Sequence, residues 1–270
     1  MILASDLTPH LLLGLPTAFA YALTALVGPR LTPRLGQRLV FAPWVLHGLS
    51  LIYALFGSHD GATHFGFAPA LSVTVWLMFT FYLLEQHWFP QLRMRWAFSL
   101  LGAAVVLLAA FYPGAPLHVD TSPWLPLHWA LGIASYGLFA AAVAHAVLMT
   151  RAERNIRSAT DSSVGLPLLT LERLTFRFVA AGFVLLTATL AAGWLFGDSL
   201  YGAKAAWHWD HKTVFSLLSW LTFAVLLLGR SRFGWRGRTA VRVLYVGSGL
   251  LLLGYVGSRF VLEVILGRMA

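Results

Sequence analysis

Ten histidines are the residues of this sequence best suited to chemistry, and they are unevenly placed. A neutral imidazole is the commonest metal ligand among protein side chains. His47 sits near the middle of an apolar run, in Trp44-Val-Leu-His47-Gly-Leu, with no acid on the same run. Two readings stand for it. It is a neutral imidazole hydrogen-bonded to a carbonyl inside a helix bundle, or it is an axial ligand to a haem iron. His128, in Pro126-Leu-His128-Trp129, carries the same choice between an interfacial histidine beside an anchoring tryptophan and a ligand. A zinc centre asks for three or four ligands, and no acidic cluster accompanies these residues. Haem asks for one or two axial histidines, an apolar pocket and cations at its rim. The chain has no cysteine, which excludes disulfides, thiolate metal centres and covalent haem attachment.

A second group is Lys204-Ala-Ala-Trp207-His208-Trp209-Asp210-His211-Lys212. Tryptophans anchor at headgroup level, and Asp210 suits the N-cap of the helix that follows. The same residues also make an aromatic platform for a planar ligand, with lysines beside its carboxylates.

The elements that position these residues follow from composition. Hydrophobic residues make up 59% and charged residues 11%, with a mean hydropathy of +0.74. Soluble chains carry about 25% charged residues, so lipid is the solvent this chain requires. The formal charge of +9 does not point to nucleic acid, because the arginines lie in short segments between apolar runs rather than on one basic face. About 20 apolar residues span a bilayer. The runs 10–28, 39–57, 66–84, 96–112, 125–149, 174–197, 212–229 and 240–262 predict about eight spans. The connections alternate in charge. The first, third, fifth and seventh hold the arginines, among them Arg30, Arg93, Arg151 and Arg230, whereas 58–65, 113–124 and 198–211 hold only Lys204. The positive-inside rule places the arginine-rich connections in the cytoplasm and both termini outside. His59, His64, His118, His128, His208 and His211 then fall at the outer face, His145 lies toward an inner helix end, and His10 and His87 mark helix ends. Met1 to Pro9 lacks a basic region, so the first helix is expected to be retained. The fold class expected is all-α, a polytopic bundle forming a single domain over 1–270.

Several segments together resemble a known family. Trp207-His-Trp209-Asp210-His-Lys212, followed by Trp220, resembles the tryptophan-rich motif of cytochrome c assembly proteins, the haem-handling membrane proteins of the CcsA and CcmC type. Leu127-His128 through Ser135-Tyr136 resembles the family's histidine-led helix start. Leu171-Glu172-Arg-Leu resembles its L-E-x-L segment, and Gly234-Trp235-Arg236-Gly237-Arg238 the loop of the short YpjD-like branch. The resemblance covers about 40–258. It implies a multi-pass protein of the bacterial inner membrane that binds haem b. His128 matches the externally facing haem histidine, and Trp207, Trp209, Asp210 and Lys212 match the tryptophan-rich loop. His47 and His118 match histidines of the YpjD-like branch. The family's Pro and Glu in the motif are His211 and Thr213 here, and two late histidines of the full assembly proteins are absent. His208 and His211 stand as substitutes.

The leading expectation is a haem-handling protein rather than a stand-alone enzyme. His47 and His128 would be axial ligands, Trp207 and Trp209 would wall the porphyrin, and Lys204, Lys212 or Arg259 would pair with propionates. Arg259 has an equal claim to pairing with Glu263 four residues on. The partners expected are haem, the bilayer and other membrane or cytochrome assembly proteins. Two other expectations are a b-type cytochrome in quinol electron transfer and a non-haem accessory subunit.

Overall fold

A computed structural model describes residues 4–56, 63–89, 96–117, 124–157, 167–196 and 210–267. The chain is helical nearly throughout these segments, and the apolar runs become the helices. They are α1 (Ala4–Val27), a short α2 (Pro33–Leu39), α3 (Phe41–Phe56), α4 (Phe67–Trp88), α5 (Ala97–Phe111), α6 (Trp124–Arg157), α7 (Leu168–Leu195), α8 (His211–Phe233) and α9 (Gly237–Leu252). Beyond α9 the helix continues with two π-helical stretches, Leu253–Gly257 and Val261–Ile265. Among the described residues, six helical stretches are long and apolar enough to cross a membrane, and Phe41–Ala54 and Ala97–Phe111 are shorter apolar helices. The polytopic membrane architecture expected from hydropathy is thus present.

The boundaries differ where polar residues extend a helix past its apolar window. α6 runs on through Arg151-Ala-Glu153-Arg-Asn-Ile-Arg157, a stretch expected to be loop. Glu153 four residues before Arg157 favours helix, as do arginines near a helix C-terminus. α7 starts directly after Pro167, six residues before its expected start at 174. α1 begins at Ala4, so His10 lies inside it rather than at its end. Among the described residues, one feature is a strand pair rather than a helix. Thr63–Phe65 (β1) pairs antiparallel with Ala115–Leu117 (β2), tying the connection after α3 to the one after α5. Both belong to the arginine-poor connections.

The chain divides into two compact units, Met1–His118 with Arg259–Ala270, and Val119–Ser258. In the first, small residues let helices approach closely. A Cβ on Gly102 of α5 would come within 3.0 Å of the Tyr21 ring of α1. Trp44 and Trp76 stack at 5.5 Å between ring centroids. The Trp44 indole N–H donates to Thr80 Oγ1 at 2.9 Å, and that of Trp76 to the Trp44 carbonyl at 3.0 Å. In the second unit, Phe139 of α6 stacks on Phe223 of α8 at 3.8 Å. Gly182 of α7 leaves room for the same Phe139 ring. Gly234 ends α8 in the left-handed conformation at φ 65°, which glycine adopts without strain.

Candidate functional site

His128 occupies the second turn of α6, where the apolar run predicts it. Its ring packs on α7. Its ring donates to the Thr189 backbone carbonyl, and a Cβ added at Gly193, one turn further, would stand 3.4 Å from His128 Cε1. His128 Nδ1 is sealed from solvent, while the residue as a whole is partly exposed. The ring is therefore held on its α7 side, and the residue keeps partial exposure. Ser135 and Tyr136, two turns on, serve packing. Ser135 Oγ donates to the Gly132 carbonyl at 2.7 Å, and the Tyr136 hydroxyl donates to the Leu251 carbonyl.

The same unit carries the start of α8. Asp210 is its N-cap, as its position suggests, and Oδ1 accepts the Thr213 N–H at 2.9 Å. His211 is exposed on the first turn. The Lys212 ammonium lies 5.8 Å from the centroid of the Tyr255 ring, within range for a cation–π contact. The π-helical turn holding Tyr255 packs here closely, since a Cβ on Gly254 would meet Ser216 Oγ at 3.3 Å and the Lys212 carbonyl at 3.6 Å. Such π-helical turns are frequent at functional sites. Lower on the helices, Trp220 of α8 stacks near Phe183 of α7, and its N–H donates to Thr187 Oγ1 at 2.9 Å. His118, Trp207, His208 and Trp209, with Lys204, lie outside the described residues.

His47 is wholly buried in the first unit, in the interior of α3. Both its ring nitrogens are engaged. Nδ1 lies 3.2 Å from the Tyr21 hydroxyl of α1, and Nε2 lies 2.8 Å from Ser72 Oγ of α4. A neutral imidazole has one donor and one acceptor, so two hydroxyls satisfy it completely. A second polar pair lies nearby, Thr17 Oγ1 with Ser50 Oγ at 3.1 Å. His10, His47, Ser50, Tyr53 and Ser72 border a cavity of about 30 Å³. A water occupies at least about 10–15 Å³ on this measure, so the cavity suits a water or two. Arg259 also belongs to the first unit. Its Nε is sealed from solvent and makes no hydrogen bond among the described residues. Glu263 interacts with it electrostatically and also accepts the Phe67 backbone N–H at the start of α4.

Sequence reasoning gave Glu172 no role, and it holds a polar cluster of the second unit. Glu172 of α7 forms an ion pair with Arg230 of α8, and its Oε1 lies 3.6 Å from Arg236 Nε. Arg230 lies 4.6 Å from the Phe176 ring centroid and donates to the Trp235 carbonyl at 3.3 Å. Trp235 in turn lies flat on Gly229, where a Cβ would come within 2.3 Å of its ring. The L-E-x-L segment and the Gly234-Trp235-Arg236 loop, far apart in sequence, meet in this cluster. Among the described residues, no group of three or more His, Cys, Asp or Glu side chains is arranged to hold a metal ion.

Comparison with known proteins adds the following. The family model described as Cytochrome C assembly protein matches residues 37–266. The inner membrane protein YpjD of Escherichia coli strain K12 is 32% identical over 178 residues, which is 64% of this chain and 65% of that protein, just under two thirds of its length. An uncharacterised 28.8 kDa protein of Azospirillum brasilense is 31% identical over 218 residues, covering 77% of this chain and 79% of its own. The cytochrome c biogenesis protein CcsA of Synechococcus elongatus is 35% identical over 88 residues, 33% of this chain and 26% of that protein. No solved structure matches.

Proposed function

The chain belongs to the Cytochrome C assembly protein family, and from that premise we propose that it binds haem b at the end of the second unit that carries His128. It is a multi-pass inner-membrane protein, and the proposal adds that it holds or delivers haem at the outer face. The single observation that carries this reading is the setting of His128. Its ring is held against α7 at Thr189 and Gly193, and the residue keeps partial exposure. A histidine ligand is ordinarily oriented in this way, by a hydrogen bond from the ring to a carbonyl. Bound haem would supply a redox-active iron, and this chain would supply its ligand and its walls. In this reading His128 is an axial ligand. Lys212 pairs with a propionate, a charge-assisted contact. Trp207, Trp209 and His208, from the connection before α8, and His211, on its first turn, would line the haem, and the assembly-type domain would extend over 1–270.

His47 fits haem less well. Both its nitrogens are hydrogen-bonded, and the space beside it is far below the roughly 300–1,000 Å³ of a cofactor pocket. Its setting favours the neutral, bundle-stabilising imidazole. Arg259, with the Phe67 end of α4 and Glu263 close by, is better explained by packing within the first unit.

The test is an oxidised and dithionite-reduced spectrum of the purified full chain, with pyridine haemochrome quantification, in protein produced with ample haem. A b-type spectrum that His128→Ala abolishes supports the proposal. Protein without haem overturns it and leaves the accessory-subunit reading. A haem reduced by quinol turns the reading toward electron transfer.

A further inference from the structure

The arginine-rich end of the second unit has a face that the haem reading does not use. Arg238 and Arg242 of α9 are exposed and stand four residues apart, so they are neighbours on one helix face. Like charges so placed repel each other, and among the described residues no carboxylate pairs with either. Arg236, by contrast, is turned toward Glu172. Arg151, near the end of α6, interacts electrostatically with Tyr245 of α9, whose hydroxyl bonds Thr150. The two helices thus bring a third arginine to the same side. Glu153, the acid of the α6 end, borders this face without an ion pair to either arginine: its Oε1 lies 3.9 Å from where a Cβ on Gly237, the residue before Arg238, would stand.

Below the arginines the face turns apolar. Tyr245 is 39% exposed, Val246 57% and Leu253 50%. Gly249 lies between them on the same face, and a Cβ there would meet nothing within 4 Å, which leaves an open shallow groove. One helix face therefore runs from paired arginines, through a tyrosine, to a bare apolar channel. An anionic phospholipid has the same order of parts: phosphate, polar backbone, acyl chains. A soluble acidic protein would match the arginines and leave the apolar stretch uncovered.

We propose that the α6–α9 face binds one anionic phospholipid, its phosphate held by Arg238, Arg242 and Arg151 and an acyl chain lying over Gly249. Basic pockets beside transmembrane helices recognise such headgroups, and each arginine near the surface adds about a fivefold preference for anionic lipid. The proposal stands apart from the haem reading and does not depend on it.

The experiment uses the full chain in nanodiscs and detergent. Native mass spectrometry compares retention of phosphatidylglycerol with phosphatidylcholine, and thermal unfolding is followed with each lipid added. The expected result is a preference for phosphatidylglycerol of tenfold or more. It should fall to near parity in Arg238→Gln/Arg242→Gln and persist in Arg232→Gln, an exposed arginine off this face. Arg238→Lys/Arg242→Lys keeps the charge and should keep most of the preference, which separates loss of a site from loss of fold. Equal retention of the two lipids, or an undiminished preference in the glutamine variant, overturns the proposal. So does a thermal shift from soluble polyglutamate equal to that from phosphatidylglycerol, which would mark the face as a protein-docking surface.

Discussion

Removing the His128 ring leaves a gap against Thr189 and Gly193 at a partly exposed position, so its structural cost is small. His128→Ala should lose most b-type absorbance while its thermal midpoint changes by a few degrees at most. His47→Ala should do the reverse. It strands the Tyr21 and Ser72 hydroxyls in the bundle, and unsatisfied buried groups cost about 1–3 kcal/mol each. The expected outcome is a retained haem spectrum with a clearly lower midpoint. Read together, spectrum and midpoint separate ligand from strut. The sequence marks both histidines as notable through the same signal, a polar residue in or beside an apolar run. It does not distinguish them, because the hydroxyls that satisfy His47 come from α1 and α4, 26 and 25 residues away.

At the level of elements, Glu172 fastens α7 to α8 and the loop after it. Its side chain is 12% exposed and that of Arg230 28%, so solvent screens the pair only in part. Breaking one partner of such a pair strands the other charge. Glu172→Gln should cost about 2 kcal/mol, lowering the midpoint by roughly 4–8 °C, without removing haem. Gly229→Ala should give a similar loss, since its Cβ would occupy the space of the Trp235 ring. Hydropathy locates the apolar helices among the described residues because each carries an apolar run of about the length a bilayer selects. It misses the helix extensions at 150–157 and 168–173, because polar helix-forming residues carry no hydropathy signal. It is also silent on the Glu172–Arg230 pair, which joins positions 58 residues apart. The β1–β2 ribbon goes unseen for a related reason. Its three-residue strands are too short for an alternating pattern to be read.

For the molecule as a whole, the alternation of arginine-rich and arginine-poor connections predicts orientation. The absence of cysteine makes the test direct, since single cysteines report without prior substitution. In intact cells, a membrane-impermeant maleimide should label Ser58→Cys and spare Ser158→Cys until the membrane is opened. The opposite pattern would invert the topology and move His128 to the cytoplasmic side, against the proposed haem site.

The long helices α6 and α7 also bear on how this protein is imaged. α6 has 34 residues, about 51 Å at 1.5 Å per residue, against an apolar core of about 30 Å. The excess is about 21 Å, and the last two turns of α6, with Arg151, Arg154 and Arg157, are the part whose charge suits it to project beyond the bilayer, while Glu172 braces the start of α7 against α8. A compact soluble domain spliced between Arg157 and Leu168, in continuous helical phase with both, would ride on a stiff mount rather than a tether. For a small particle otherwise hidden inside a detergent belt, that mount supplies the asymmetric mass by which electron micrographs are aligned.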